Sequence, residues 1–354
     1  MKTKLLAVLA TLGMVASASA VKINNNLSIN GFIDGSYSNT DTTDKSAGTS
    51  ADESNLGIDE VELNFIVNAG SVSGELHIDS TDSGEMSVAT TPGGAPAASN
   101  LSSDQELNIE QVHFTYSFGN GASVQVGRFG SDLGLEREDP AGLYTFSRAY
   151  DDGSSRYNLG NTDANVGEGL RLSYSAGDFA ASVALYNAIG ATEEDAAQED
   201  DLDTEIAVTY TGIDNLSVTV GAQTINTSDS KAAGVAATAD IDVLTINAAY
   251  TLDKLLIAGE YTSTEADGSQ DTSAYAVIAD YDVTNQLGFA LRYSEWETLQ
   301  GTATVQTDKV TFAPNYAITE SLGAIIEFST EEVSGGTNDG DDVDSLAIEL
   351  TYTF

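Results

Sequence analysis

Apolar residues fall on every second position in sixteen separate stretches of this 354-residue chain, the period of a β-strand with one apolar face. The faces begin Leu27-Ile29-Ile33, Val61-Leu63-Phe65-Val67, Val72-Leu76-Ile78, Val112-Phe114-Tyr116-Phe118 and Val124-Val126. Next come Leu170-Leu172-Tyr174, Phe179-Ala181-Val183-Leu185, Ile206-Val208-Tyr210, Leu216-Val218-Val220, Leu244-Ile246-Ala248-Tyr250 and Leu255-Ile257-Tyr261. Tyr275-Val277-Ala279-Tyr281, Leu287-Phe289-Leu291-Tyr293, Val310-Phe312-Tyr316, Leu322-Ala324-Ile326-Phe328 and Leu346-Ile348-Leu350-Tyr352-Phe354 complete the series. The connectors alternate too. "NAGS", "GNG", "AGD", "GIDN", "LDK", "VTN" and "ITES" are tight turns. The intervening connections are long and polar, such as "NTDTTDKSAGTSADESN" after the first strand and "EEVSGGTNDGDD" before the last. An even strand number with short turns on one rim and long loops on the other predicts a 16-stranded antiparallel transmembrane β-barrel, with short periplasmic turns and long extracellular loops. A soluble sandwich or β-solenoid gives no reason for that long-short alternation.

The two faces differ in charge. Apart from Arg128, no in-phase apolar position is charged, although 19% of the chain is. An Arg or Lys at the lipid midplane costs about 2–4 kcal/mol, so this face is expected to meet lipid. The opposite face carries Asp34, Glu60, Glu62, Glu75, His77, Asp79, His113, Glu205, Glu260, Asp280, Arg292, Lys309, Glu327 and Glu349, the expected wall of a water-filled lumen. Phe118, Tyr174, Tyr210, Tyr250, Tyr281, Tyr316 and Phe354 stand at the ends of even strands, and Tyr37, Tyr261, Tyr293 and Phe328 at the ends of odd ones. Two aromatic belts at the membrane interfaces are implied. A closed barrel leaves no edge, so the last strand is expected to pair with the first. Its ending, Tyr352 and Phe354, resembles the C-terminal signature read by the barrel-assembly machinery.

The first twenty residues, "MKTKLLAVLATLGMVASASA", have a lysine-bearing start, a short apolar run and Ala18-Ser19-Ala20 before the expected cleavage site. They are expected to be an export signal, residues 21–354 forming the barrel in the outer membrane. Without them 11 Lys+Arg face 55 Asp+Glu, a charge of −44, which argues against nucleic acid as a partner. The expected partners are outer-membrane lipid, small hydrophilic solutes and ions, and the assembly machinery. The sequence says little about oligomeric state, with a homotrimer as the assembly considered. There is no cysteine, which removes disulfides, thiol catalysis and thiolate metal sites.

The longest connector, residues 130–165, mixes signs. Glu136, Arg137, Glu138, Asp139, Arg148, Asp151, Asp152 and Arg156 lie in it, and Arg128 and Arg171 flank it. "VGRFGSDLGLEREDPAGLYTFSRAY" and "VGEGLRLSYSAGDFAASVALYNA" resemble the OmpL-like family of β-barrel porins. The likeness rests on Gly127-Arg128-Phe129, on Gly134 and Glu136, and on Phe146-Ser147-Arg148, and it is close over about Gln111 to Ala188. It implies an outer-membrane porin and no particular solute. The third external loop of general porins folds into the lumen, so loop 130–165 is expected to form an inward-folded constriction whose opposed charges select ions. A solvated surface loop is the alternative.

Other chemistry is thinner. The only histidines, His77 and His113, are expected to face the lumen rather than build a catalytic triad on the lipid face. No cofactor is expected, although the acidic runs 192–203 and 337–344 could loosely hold Ca²⁺ or Mg²⁺ at the extracellular loops. The expected function is passive diffusion of ions and small solutes with weak cation preference. The competing reading is a structural or adhesive barrel with a narrow or plugged lumen. Gly127 is a candidate β-bulge that would turn Arg128 inward and Phe129 to lipid. Pro314, mid-strand, deprives the ladder of a donor and leaves that register open.

Overall fold

The computed structural model describes residues 20–80, 107–136, 139–150, 166–189, 202–226, 240–266, 271–300 and 303–354; the export signal lies outside these except for Ala20. Sixteen long antiparallel strands form a single closed sheet. They are β1 Leu27–Asp44, β2 Thr49–Ala69, β3 Val72–Ser80, β4 Leu107–Ser117, β5 Ala122–Phe129, β6 Gly167–Ala176, β7 Phe179–Ile189 and β8 Asp203–Tyr210. The second half is β9 Leu216–Ile225, β10 Ile241–Leu252, β11 Leu255–Ala266, β12 Thr272–Asp282, β13 Leu287–Gln300, β14 Ala303–Ala317, β15 Leu322–Ser334 and β16 Asp342–Thr353. Each strand pairs with the next, and β16 closes on β1 from Asp342↔Thr43 to Thr353↔Phe32. Phe354 extends the seam, exchanging backbone hydrogen bonds with Gly31 at 3.2 and 3.1 Å. Val21–Lys22 adds a two-residue bridge to β1. Among the described residues no helix is long and apolar enough to cross a membrane; the crossing is made by strands, each paired with its neighbours round the closed ring.

The molecule is turned inside out relative to a soluble protein. Phe114, Leu172, Leu291 and Phe328 are each half exposed on the outside, whereas Glu62, Arg292, Thr245 and Glu327 are almost fully covered within. The inner face is not uniformly polar, however. Phe32, Phe129, Leu256, Ile278 and Trp296 point inward and are buried. Leu256 and Ile278 pack with Tyr144 and Trp296 with Tyr150, both from the connection between β5 and β6, while Phe129 packs on Ala184 and Tyr186 of the wall.

The tight turns keep the seven short connectors at the rim that holds both ends of the barrel, with Asn215 and Asp253 taking positive φ in two of them. The opposite rim differs from the long-loop expectation. β1 and β2 run on to Asp44 and Thr49, so "NTDTTDKSAGTSADESN" is mostly strand with a turn at residues 45–48. Only residues 301–302 separate β13 from β14, and 335–341 separate β15 from β16. About 9–11 tilted residues cross a bilayer, so the 18 and 21 residues of β1 and β2 rise well beyond it. Both faces of these extensions meet water, and Ser, Thr, Asn and Asp keep the hydrogen-bond ladder without any apolar stripe. Lys45 caps the raised wall by an ion pair to Asp342 at 2.7 Å.

The ladder is irregular at few places. Pro314 leaves no register shift: Phe312↔Phe328 and Asn315↔Ile325 lie on either side of it in step, with only Ala313 and Pro314 dropping out of the pairing with β15. A bulge sits at Glu110, between Ile78↔Ile109 and His77↔Gln111, and another at Asp59, between Asp34↔Glu60 and Gly35↔Ile58. Gly127 is not one. Its register with β4 and β6 is unbroken although φ is +135°, and a Cβ there would come 2.2 Å from the Val112 carbonyl oxygen.

With no native cysteine, the topology is directly testable. Ala47→Cys should react with a membrane-impermeant maleimide on intact cells, and Asn120→Cys only after the outer membrane is breached. The opposite labelling would reverse the barrel.

Candidate functional site

The described residues of loop 3, the connection between β5 and β6, lie inside the barrel at 130–136 and 139–150, fixed by wall residues met in turn. Arg171 on β6 holds its start, donating to the Gly130 carbonyl at 2.5 Å and the Tyr186 hydroxyl at 2.9 Å, with its guanidinium 4.5 Å over the Phe129 ring. Asp132 faces Arg171 at 3.1 Å and accepts from Ser182 Oγ at 2.6 Å. Glu205 on β8 accepts from Ser131 Oγ at 2.5 Å and the Asp132 amide at 3.0 Å. Leu133 then lies on Gly221 of β9, where a Cβ would come 2.0 Å from Leu133 Cδ2. Asn247 on β10 donates to the Gly134 carbonyl at 3.4 Å.

The return leg is tied to one side chain. Arg292 on β13, 1% exposed, donates to Glu136 Oε1 at 2.6 Å, Thr145 Oγ1 at 2.7 Å and the carbonyls of Ser147 and Arg148 at 2.8 and 2.7 Å. Glu136 also accepts from the Ala149 amide, and Glu327 on β15 accepts from the Ser147 amide at 3.0 Å. Between these polar ties, Leu135 and Tyr144 pack on Ala249, Leu256, Ala258, Ile278, Ala290 and Ala313. Tyr150 packs on Ala274, Ala276 and Trp296. These inward alanines leave the space the loop occupies, and a larger residue at any of them would push it into the lumen. A 3₁₀ turn, Pro140–Gly142, brings the loop's far side against β1 and β16.

What stays open is a cavity of about 500 Å³ between loop 3 and the wall from β6 to β10, with His77 and Gln111 at its edge. Its wall is rich in hydroxyls: Ser173, Ser182, Thr209, Thr211, Ser217 and Thr219. His77 bridges Glu75 at 3.2 Å and Glu62 at 3.3 Å, and His113 contacts Gln125 at 3.1 Å. Asp34 accepts from Thr351 at 2.7 Å beside Glu349, and Asn315 donates to Asp280 at 3.4 Å. Glu60, Asp79 and Glu260 lie on the same inner face, each in register with an inward neighbour. Burial and the neighbouring Glu62 raise the carboxyl of Asp139, in loop 3, well above the usual carboxylate range.

Two sequence readings are corrected here. Arg128 does not enter the pore; it shares the outer face with Val112 and Glu168, its Nε donating to the Glu110 carbonyl at 2.8 Å. Phe129 is 1% exposed and packs inside against Tyr186, so it does not face lipid. Without a bulge at Gly127 the alternation simply continues. Arg171 and Arg292 are anchors of the loop rather than free charges on the passage. Arg148 is half-buried, its carbonyl bound by Arg292. Arg137, Glu138, Asp151, Asp152 and Arg156 lie outside the described residues, as does the acidic run up to Asp201. In the run 337–344, Asp339 and Asp341 accept backbone amides of the raised wall and Asp342 pairs with Lys45. Tyr186, Ser131, Asp132, Gln125, Thr145 and Ser147 escaped the sequence reading. Hydroxyl and amide residues are common everywhere, and only the inward phase of Tyr186, two residues from Ala184, distinguished it.

Residues 26–354 match the family described as "Putative beta-barrel porin-2, OmpL-like". The chain belongs to that family. It is an outer-membrane porin barrel, and solved structures agree on the fold. The outer membrane channel DcaP of Acinetobacter baumannii superposes with a TM-score of 0.63 at 13% identity, over 95% of this chain and 99% of that one. An anion-selective porin from Comamonas acidovorans gives 0.62 at 14%, over 93% and 99%. The trimer form of OmpT from Vibrio cholerae gives 0.57 at 12%, over 93% and 100%. No curated protein matches the chain.

If Arg292 fastens the porin's loop, Arg292→Ala should leave Glu136 without its ion-pair partner and the Arg148 carbonyl without its side-chain donor. Losing one partner of a buried ion pair costs about 3–5 kcal/mol. A lower unfolding temperature together with noisier single-channel current is expected; quiet current at the original conductance would show that the loop holds without this residue.

Proposed function

We propose that this porin is a passive diffusion channel for ions and small hydrophilic solutes, with loop 3 as its constriction and a weak preference for cations. The observation that carries the reading is the loop's path: it lies in the lumen of a sixteen-stranded barrel, is tied to wall residues from β6 round to β15, and leaves a hydroxyl-lined opening between itself and the wall from β6 to β10. Sixteen strands enclose an aqueous channel rather than a filled core. Neutral hydroxyls along the opening suit solutes that exchange water for hydrogen bonds without being held. We read the barrel as a channel without catalytic chemistry, inserted by the assembly machinery through its Tyr352–Phe354 end and assembled as a homotrimer. The trimer form of OmpT supports the last point by likeness of fold.

Charge supports the cation preference. Arg171 and Arg292 are engaged with loop 3, and Lys309 pairs with Glu331 at 2.8 Å. Of the wall acids, Glu205 and Glu327 are likewise engaged. Asp34, Glu60, Glu62, Glu75, Asp79, Glu260, Asp280 and Glu349 lie on the same inner face, with His77 and His113 as further bases, so acids outnumber bases there. The Debye length is about 8 Å at physiological salt, so charges lining the passage outweigh those of the distant acidic rim.

Removing about a dozen residues centred on Pro140 should raise the single-channel conductance while the barrel still inserts, and a trimer should insert in three coupled steps. An unchanged conductance would mean the loop does not set the bore, and a closed lumen in the wild type would favour the structural or adhesive reading. In a KCl gradient the reversal potential should have the sign of a cation-selective pore and fall well short of the Nernst limit. A clear anion preference that Arg148→Ala or Arg156→Ala abolishes would assign selectivity to the loop arginines instead.

A further inference from the structure

We propose that Glu62 of β2 and Asp139 of loop 3, with Glu60 beside them, hold a divalent metal cation that fastens the far turn of the loop to the β1–β2 wall. The bulge at Asp59 sets Glu60 and Glu62 on the inner face, in register with Asp34 and Phe32. Asp139 comes down upon them from the loop, so that one carboxylate oxygen of each of the three lies within 4.8 Å of the others. A second trio shares Glu62: its carboxylate, His77 and Glu110 meet the same spacing, the bulge at Glu110 bringing that side chain in from β4.

The decisive observation is Glu62 itself. Its side chain is completely buried, and neither carboxylate oxygen accepts a hydrogen bond. Its nearest base is His77 Nδ1, at 3.3 Å without the alignment of a hydrogen bond, and His77 is also engaged by Glu75. No lysine or arginine among the described residues forms an ion pair with Glu62. A buried carboxylate without donors is costly, and a second one converging on it adds repulsion. A doubly charged cation removes both penalties at once. The donor set is mostly carboxylate oxygen, with one imidazole at its edge, which suits a hard ion such as Ca²⁺ or Mn²⁺ that completes its shell with water. Entry is open, since Asp139 and His77 both border the 500 Å³ cavity. The site is distinct from the acidic external run 337–344, where Asp339, Asp341 and Asp342 are occupied by the raised wall. It does not depend on what the channel conducts.

The test uses the full mature chain in detergent, stripped with EDTA, its folding checked by heat-modifiable migration. Calorimetric titration with Ca²⁺ should show one tight site per chain that Glu62→Gln and Asp139→Asn each abolish. Glu53→Gln, at an exposed acid on the raised part of β2, should keep it. Equal binding by the Glu62 and Asp139 variants, or no binding by the wild type at millimolar Ca²⁺, would overturn the proposal. Should the variants misfold, the wild type suffices, because His77 and His113 are the only histidines and their rings lie 6.5 Å apart. One equivalent of Mn²⁺ should broaden both imidazole NMR signals beyond detection. Sharp signals would place the ion elsewhere and sink the idea.

Discussion

The internal architecture depends on one guanidinium. Arg292 is almost fully covered and gathers both legs of loop 3: Glu136 from the outgoing leg, and Thr145, Ser147 and Arg148 from the returning one. Only arginine presents enough donors in a rigid fork to meet a carboxylate and several carbonyls at once. The ionic partner matters as much as the count. Glu136 brings the neutralising charge, so the desolvation of Arg292 is offset by a component of the loop itself, and the loop is most stable where the two meet. Arg171 repeats the device at the loop's other end with Asp132, Glu205 and a ring face.

These ties would hold a loop anywhere along the wall were it not for the shape of that wall. From β10 to β14 the inner face carries a patch of small and apolar residues: Ala249, Ala258, Ala290 and Ala313, with Leu256 and Ile278, make the pocket that Leu135 and Tyr144 fill. From β6 to β9 the wall of the opening is rich in hydroxyls instead. Burying Tyr144 against alanines gains on the order of 2 kcal/mol relative to leaving it in water. No comparable apolar patch lines the hydroxyl-rich side, so the loop packs most closely from β10 to β14 and the opening lies between it and the hydroxyls. The asymmetry of the passage is thus a packing result, with charge acting as the fastener.

Most of the barrel was legible in the sequence because lipid imposes a period-2 rule on every spanning strand, and the seven tight turns carry their own chemistry. Legibility failed where that rule lapses. The raised parts of β1, β2 and β13 to β16 are wet on both faces, so nothing in hydropathy marks Asn39 or Thr49 as strand. The bulge at Glu110 has no glycine to announce it, whereas Gly127, which looked like a bulge, serves a close approach to Val112. For the site, the inward phase of Glu205, Arg292 and Glu327 could be read from alternation. That each would spend its polarity on loop 3 could not, since the partners are separated by 74, 156 and 180 residues and only the closed ring brings them together. The alanine stripe was present throughout, but alanine is neutral to a pattern that sorts apolar from polar.

One consequence concerns how a porin with so few bases uses them. Residues 21–354 hold 11 lysines and arginines for 55 acids, and two of the arginines are immobilised in the lumen by several hydrogen bonds each. A guanidinium held in this way keeps its charge, but its terminal nitrogens are taken and its Nε is buried, so a passing anion finds no hydrogen bond to exchange for lost water. The Glu75 carboxylate on β3, by contrast, retains acceptor capacity, its side-chain hydrogen bond going to His77. Selectivity then follows less from the balance of formal charges than from which side chains still have bonds to offer.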